Sequence, residues 1–202
     1  MKKSYSQFTH EDLEELGCKT IRGSLFSKIP NITPTDWLVT TLAINHKIPS
    51  DSKKAKSELF ISPILTNITL QNPTKLTYFS GYQFNVDSKR GLKGFCDYLI
   101  CQKYNAAFIE SPLVAVVEAK YNQDLADATP QCIAEMFAAQ IFNERKQKTV
   151  KTIFGTVTNG YEWLFVKLEQ DTATIDIERY GLNNLPQLLG VWQIIIDEFS
   201  QA

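Results

Sequence analysis

Histidine is nearly missing from this 202-residue chain; His10 and His46 are the whole supply. Both lie far from any acidic motif, so histidine-metal nuclease centres and serine triads lack their parts. There is no glycine-rich phosphate loop of the Walker or dinucleotide type. The four cysteines, Cys18, Cys96, Cys101 and Cys132, stand singly, without the paired spacing that a structural zinc needs, and read as reduced core thiols. No apolar run is long and unbroken enough to span a bilayer. The Met-Lys-Lys start leads into a polar, acidic segment with no secretory core, which points to a cytoplasmic protein without a membrane partner. Repeats, low-complexity tracts and long linkers are also missing. Charge of one sign is not in excess: 21 Lys and Arg against 22 Asp and Glu give a net charge of −1. That balance counts against a high-affinity nonspecific DNA binder, yet it leaves room for a local basic surface.

What is present suffices for one sizeable core, with 44% hydrophobic content. We expect a single compact unit in which residues 1–50 form a helical extension packed on a main domain, 51–202. A first short helix is expected over 7–16. Thr33, Pro34 and Asp36 read as N-cap, first helical residue and capping-box acid of a helix reaching about His46. The next helix, 52–70, carries Phe60, Ile61, Ile64, Leu65 and Ile68 and has to tolerate or kink at Pro63. Strands follow at 76–85, 92–102 and 112–120, then a helix opened by Thr129 and Pro130 and running to about Arg145. Asn159-Gly160 joins strands 151–158 and 161–168 as a hairpin; a strand at 173–179 and a helix at 185–199 complete the chain. This order describes an α/β fold, a mixed β-sheet flanked by helices.

The chemistry concentrates at Val114 to Lys120. The pattern of an acid, any residue and a lysine is weak by itself: it recurs at Asp51/Lys53, Asp87/Lys89 and Glu144/Lys146, and 22 acids yield roughly two matches by chance. Only Glu118 and Lys120 end a β-branched run of the kind that reads as a buried strand. Strand alternation places Val114, Val116, Glu118 and Lys120 on one face, and Phe95, Asp97 and Leu99 on one face of the preceding strand. A carboxylate between large apolar groups needs compensation, from a metal ion or from a lysine. The plainer reading is a structural ion pair, Asp97 or Glu118 with Lys120, at a sheet edge. Lys53, Lys54 and Lys56 crowd a helix start where the dipole disfavours positive charge; nearby phosphate or a solvated face would account for them. Tyr161, Trp163 and Phe165 alternate along a hairpin strand, as core or as a base-stacking row.

These residues resemble the PD-(D/E)XK nuclease superfamily, the restriction-endonuclease-like fold, over roughly residues 52–168. Gly94-Phe95-Cys96-Asp97-Tyr98 is similar to the strand bearing the first catalytic acid, and Val117-Glu118-Ala119-Lys120 to the second acid and lysine. Gln131, eleven positions after Lys120, resembles a glutamine often found at the next helix start, and Glu58 an extra acid on the helix before the sheet. Gly155 to Gly160 with Trp163 looks like a strand pair of restriction-subunit-like domains, and the chain as a whole resembles small cyanobacterial members. Cys96 stands where the name-giving proline would be, a position that supplies no ligand. Glu135 stands where some subfamilies carry tyrosine.

The resemblance implies a metal-dependent deoxyribonuclease. Asp97, Glu118 and the Ala119 carbonyl would hold Mg2+, with Mn2+ as a substitute. Lys120 would orient water and stabilise charge, while Gln131 and Glu58 would act as helpers. DNA is the expected partner, with Lys53, Lys54, Lys56, Lys89, Arg90 and Lys93 as phosphate contacts and a homodimer or protein partner as a source of further affinity. The alternative is a noncatalytic nucleic-acid-binding or protein-interaction module that keeps the fold.

Overall fold

The computed structural model describes residues 3–121 and 124–200. Its centre is a mixed eight-stranded sheet in the order β1-β7-β6-β5-β4-β3-β2, with the short β8 beside β6. The strands are β1 (Lys19–Gly23), β2 (Thr77–Gln83), β3 (Phe95–Cys101), β4 (Leu113–Ala119), β5 (Thr152–Thr158), β6 (Glu162–Glu169), β7 (Thr172–Asp176) and β8 (Tyr180–Gly181). Two pairs are parallel, β4 with β5 and β1 with β7; the others are antiparallel. The helices are α1 (His10–Glu15), α2 (Asp36–Asn45), α3 (Lys53–Lys56), α4 (Ser62–Gln71), α5 (Thr129–Arg145) and α6 (Leu185–Ser200).

Two hydrophobic cores lie on opposite faces of the sheet, giving three layers. One joins Leu13 of α1 and Ile133, Met136 and Ala139 of α5 to Leu99, Val116 and Val157. The other joins Leu38 of α2, Ile61, Ile64 and Leu65 of the α3–α4 helix and Trp192 of α6 to Val117, Ala119, Trp163 and Phe165. Strand β4 is buried along its whole length, as its unbroken apolar run requires. Helix α5 forms the crossover between the parallel strands β4 and β5.

Several local expectations are corrected. Helix α2 is capped by Thr35, not Thr33: the Thr35 hydroxyl accepts the Leu38 N–H at 3.2 Å and donates to Asn67 Oδ1 at 2.6 Å. Thr129 does not cap α5 but is its first residue, donating its hydroxyl to the Ala126 carbonyl at 2.7 Å after a 3₁₀ turn, Leu125–Ala128. The 53–71 helix is continuous but widens to a π segment at Ser57–Ile61, where the Ser62 N–H reaches the Ser57 carbonyl. The widening falls just before Pro63, which has no N–H to give a regular ladder. The hairpin at Asn159-Gly160 is present with a longer loop, since Thr158 pairs with Trp163. Asn159 Oδ1 accepts the N–H groups of Tyr161 and Glu162 at 2.9 Å each, and Gly160 supplies φ +88°.

The simple alternation assigned to β4 also fails at its start. Ile100 pairs with Ala115 and Cys101 with Leu113, leaving Val114 as the extra residue of a bulge. Val114 therefore packs with Ala115 and Val117, and Leu113 with Val116. Residues 1–50 are not only helical: they contribute edge strand β1 and the buried Tyr5, whose hydroxyl donates to the Phe84 carbonyl at 2.8 Å.

Candidate active site

The β3–β4 ladder has its last pair, toward the end of β4, at Tyr98–Val117. Just beyond it, the Ala119 N–H donates to Asp97 Oδ2 at 2.8 Å, so a side chain replaces the missing backbone partner. On the other flank, β4 stays zipped to β5, and the Lys120 N–H donates to the Thr158 carbonyl at 2.7 Å. Glu118, Ala119 and Lys120 are thus held between the Asp97 carboxylate and the β5 backbone.

Five side chains converge there, those of Lys53, Asp97, Glu118, Lys120 and Gln131. Lys53 Nζ lies 2.8 Å from Asp97 Oδ2 and 3.5 Å from Glu118 Oε1. Lys120 Nζ approaches the same Glu118 Oε1 at 3.0 Å and donates to Gln131 Oε1 at 2.8 Å. The chain continues inward: Gln131 Nε2 donates to Glu135 Oε1 at 3.0 Å, and the Cys96 thiol lies against Glu135. The acid-lysine pair Glu118–Lys120 does form, in the interior of the sheet and not at an edge.

Burial sets the electrostatics. Burial first, then the charge of Asp97, pushes the Glu118 carboxyl up to about 7, against the pull of Lys53 and Lys120. Glu135 is held well above the carboxylate range, by burial and then by the charge of Glu118. For Lys53, burial works to lower the pKa, but Glu118 and Asp97 outweigh it and raise it. Glu118 Oε2 and Glu135 Oε2 are enclosed with no hydrogen-bond partner among the described residues. An unpaired buried oxygen is costly and marks a place where a further donor or cation would be stabilised.

Asp97, Glu118, Ala119, Lys120 and Gln131 are brought together as expected, and Lys53 joins them as a partner of both acids. Glu135 is the residue whose part the motif reading missed, since a helix acid four positions after Gln131 lies one turn deeper on the same face. Glu58 is not drawn in: it is exposed on the helix surface with Lys54 at 3.8 Å. Lys56 is no solvated phosphate contact either, because its ammonium donates to the Tyr121 carbonyl at 2.9 Å and sits over the Tyr121 and Tyr161 rings. Lys89 and Arg90 lie elsewhere, beside Lys3, Phe8 and Asp12, with Arg90 on Asp87 at 2.9 Å. Lys93 is tied to the same segment, its carbonyl accepting the Tyr5 N–H at 3.0 Å. The aromatic row is core: Trp163 and Phe165 are buried and pack on Trp192.

Among the described residues, no three His, Cys, Asp or Glu side chains are grouped as a metal set. The acid pair itself suits a hard divalent ion: two carboxylates already meet at one cation, the Lys53 ammonium, and Glu118 Oε2 lacks a partner. Mg2+ or Mn2+ held by Asp97 and Glu118 would complete its oxygen shell from backbone and water. The chain matches no protein-family model and shows no significant similarity to a curated protein.

Proposed function

We propose that the protein is a Mg2+-dependent nuclease that hydrolyses phosphodiester bonds of DNA, with Mn2+ able to substitute. The observation that carries this reading is the convergence of Asp97 and Glu118, from neighbouring strands, on a single cation beside a lysine oriented by Gln131. Asp97 and Glu118 bind the ion. When bound, the ion supplies Lewis acidity, which stabilises charge on the phosphate and eases deprotonation of water. Lys120 is mostly buried and fixed by two acceptors, so its ammonium is preorganised to orient water and to stabilise charge developing on the phosphate. Gln131 positions that ammonium and is itself fixed by Glu135. The motif resemblance to PD-(D/E)XK nucleases supports the same assignment, and with it DNA as the substrate.

A second reading has one observation in its favour. The two acids face two lysines, so the cluster is internally balanced and would suit a noncatalytic nucleic-acid-binding or protein-interaction module. Incubation with single- and double-stranded DNA and RNA in Mg2+ or Mn2+, beside Asp97→Ala and Lys120→Ala, separates the two. The nuclease reading predicts cleavage that both substitutions abolish; equal cleavage in all three proteins, or none in any, overturns it.

A further inference from the structure

Lys53 and Lys120 are the two cations of the site, but they are held differently. Lys120 is mostly buried and bound by Glu118 and Gln131. Lys53 has a half-exposed side chain and stands in the first turn of a helix whose cap, Ser52 Oγ, accepts the Ala55 N–H at 3.0 Å. The backbone beneath Lys53 is thus anchored, while its flexible stem can swing out to water. Its ammonium also contacts the two oxygens best placed to share a cation, Asp97 Oδ2 and Glu118 Oε1.

We propose that Lys53 is a displaceable internal cation: its ammonium holds Asp97 and Glu118 together until a divalent ion takes its place, so it sets the affinity of the site for that ion. The inference rests on reading the acid pair as a divalent-cation site. It follows from charge. With Lys53 in place, an incoming ion competes with a cation for the same oxygens; without it, two carboxylates face Lys120 alone and attract the ion more strongly. Lys53 is then a positioning residue, acting through the carboxylates and not on the substrate.

Mn2+ binding, read from the resonance signal of the free ion in wild type, Lys53→Met, Lys53→Arg and Lys53→Met/Glu118→Gln, tests this without any cleavage assay. Lys53→Met should bind Mn2+ about tenfold more tightly or better. Lys53→Arg should stay close to wild type, and the double variant should lose binding. Equal or weaker binding in Lys53→Met, with binding still lost in the double variant, leaves the ion site standing and overturns the role of Lys53. No saturable binding in any of the four overturns both. Amine acylation followed by peptide mass analysis gives a second readout in the unaltered protein. Mn2+ should raise the labelling of Lys53 relative to the exposed Lys54, and unchanged relative labelling overturns displacement.

Discussion

Glu118 carries the opposing demands of the site, being fully enclosed, joined to two lysines and left with an unpartnered Oε2. Because its carboxyl rises from 4.5 to about 7 on folding, the folded protein keeps a proton that the unfolded chain has released. The stability tied to this group is therefore full below the unfolded value of 4.5 and is lost as pH rises through about 7. In a chelator, Glu118→Gln should gain on wild type between about pH 5 and pH 8 by on the order of 1–3 kcal/mol, measured by urea denaturation. A difference that does not change with pH contradicts the protonation. The same rise predicts that Mn2+ binding strengthens as pH increases from about 6 to 8, since the ion requires the carboxylate. Asp97, Glu118 and Lys120 were legible because charged residues stand out in or at the end of apolar strand segments, and Gln131 through the motif resemblance. Lys53 was legible as a lysine breaking the helix-dipole preference and as a candidate phosphate contact, but not as the partner of two acids that lie 44 and 65 residues away in sequence. Carboxylates of the fold itself, not a solvated face, account for that lysine.

Helix α5 is fastened to β4 at both ends, and this fixes Gln131. At its C-terminal end Asn143 brackets Leu113, accepting its N–H at 2.8 Å and donating to its carbonyl at 2.7 Å. At the other end Gln131 meets Lys120. Between them the helix lies close on β5: a Cβ on Gly155 would fall 2.3 Å from Met136 Sδ and 2.7 Å from Cys132 Sγ. Gly155→Val should cost roughly 1–3 kcal/mol by overpacking. Asn143→Leu should cost a similar amount, roughly 1–3 kcal/mol, by stranding the Leu113 backbone groups. Chemical denaturation checks both, and changes within about 0.5 kcal/mol, ordinary for a surface substitution, would deny α5 its close seating. The helix was evident from its proline start and its alanines, but its seating was not. Its start was misread because Thr129 and Pro130 look like a cap and first residue, whereas the preceding 3₁₀ turn makes the threonine helical. The Thr33-Pro34 pair points to Thr33 as the cap of α2, but the Thr35 hydroxyl takes that place by accepting the Leu38 N–H while it holds Asn67.

Across the whole molecule, the mixed sheet and its flanking helices followed from apolar periodicity, because most strands bury at least one face. Strand β1 escaped that reading since its residues are largely exposed and alternate nothing; it is held by parallel pairing to β7, a partner some 150 residues away. No helix among the described residues is long and apolar enough to cross a membrane. With a net charge of −1, the proposed DNA affinity would have to come from a few local cations. Lys54, exposed one residue beyond Lys53, is the best placed of the candidates near the acids. Lys54→Glu should weaken DNA binding and flatten its dependence on salt; an unchanged salt slope removes it from the interface. Whether the proposed site of Asp97, Glu118 and Lys120 cuts phosphodiester bonds is decided by single-turnover cleavage of an end-labelled DNA duplex during a Mg2+ titration, with wild type beside Lys120→Met and Glu118→Gln. Cleavage should saturate with Mg2+ in wild type and fall by at least about a hundredfold in both variants. Cleavage at equal rates in all three, or none in wild type at any Mg2+ concentration, would contradict it.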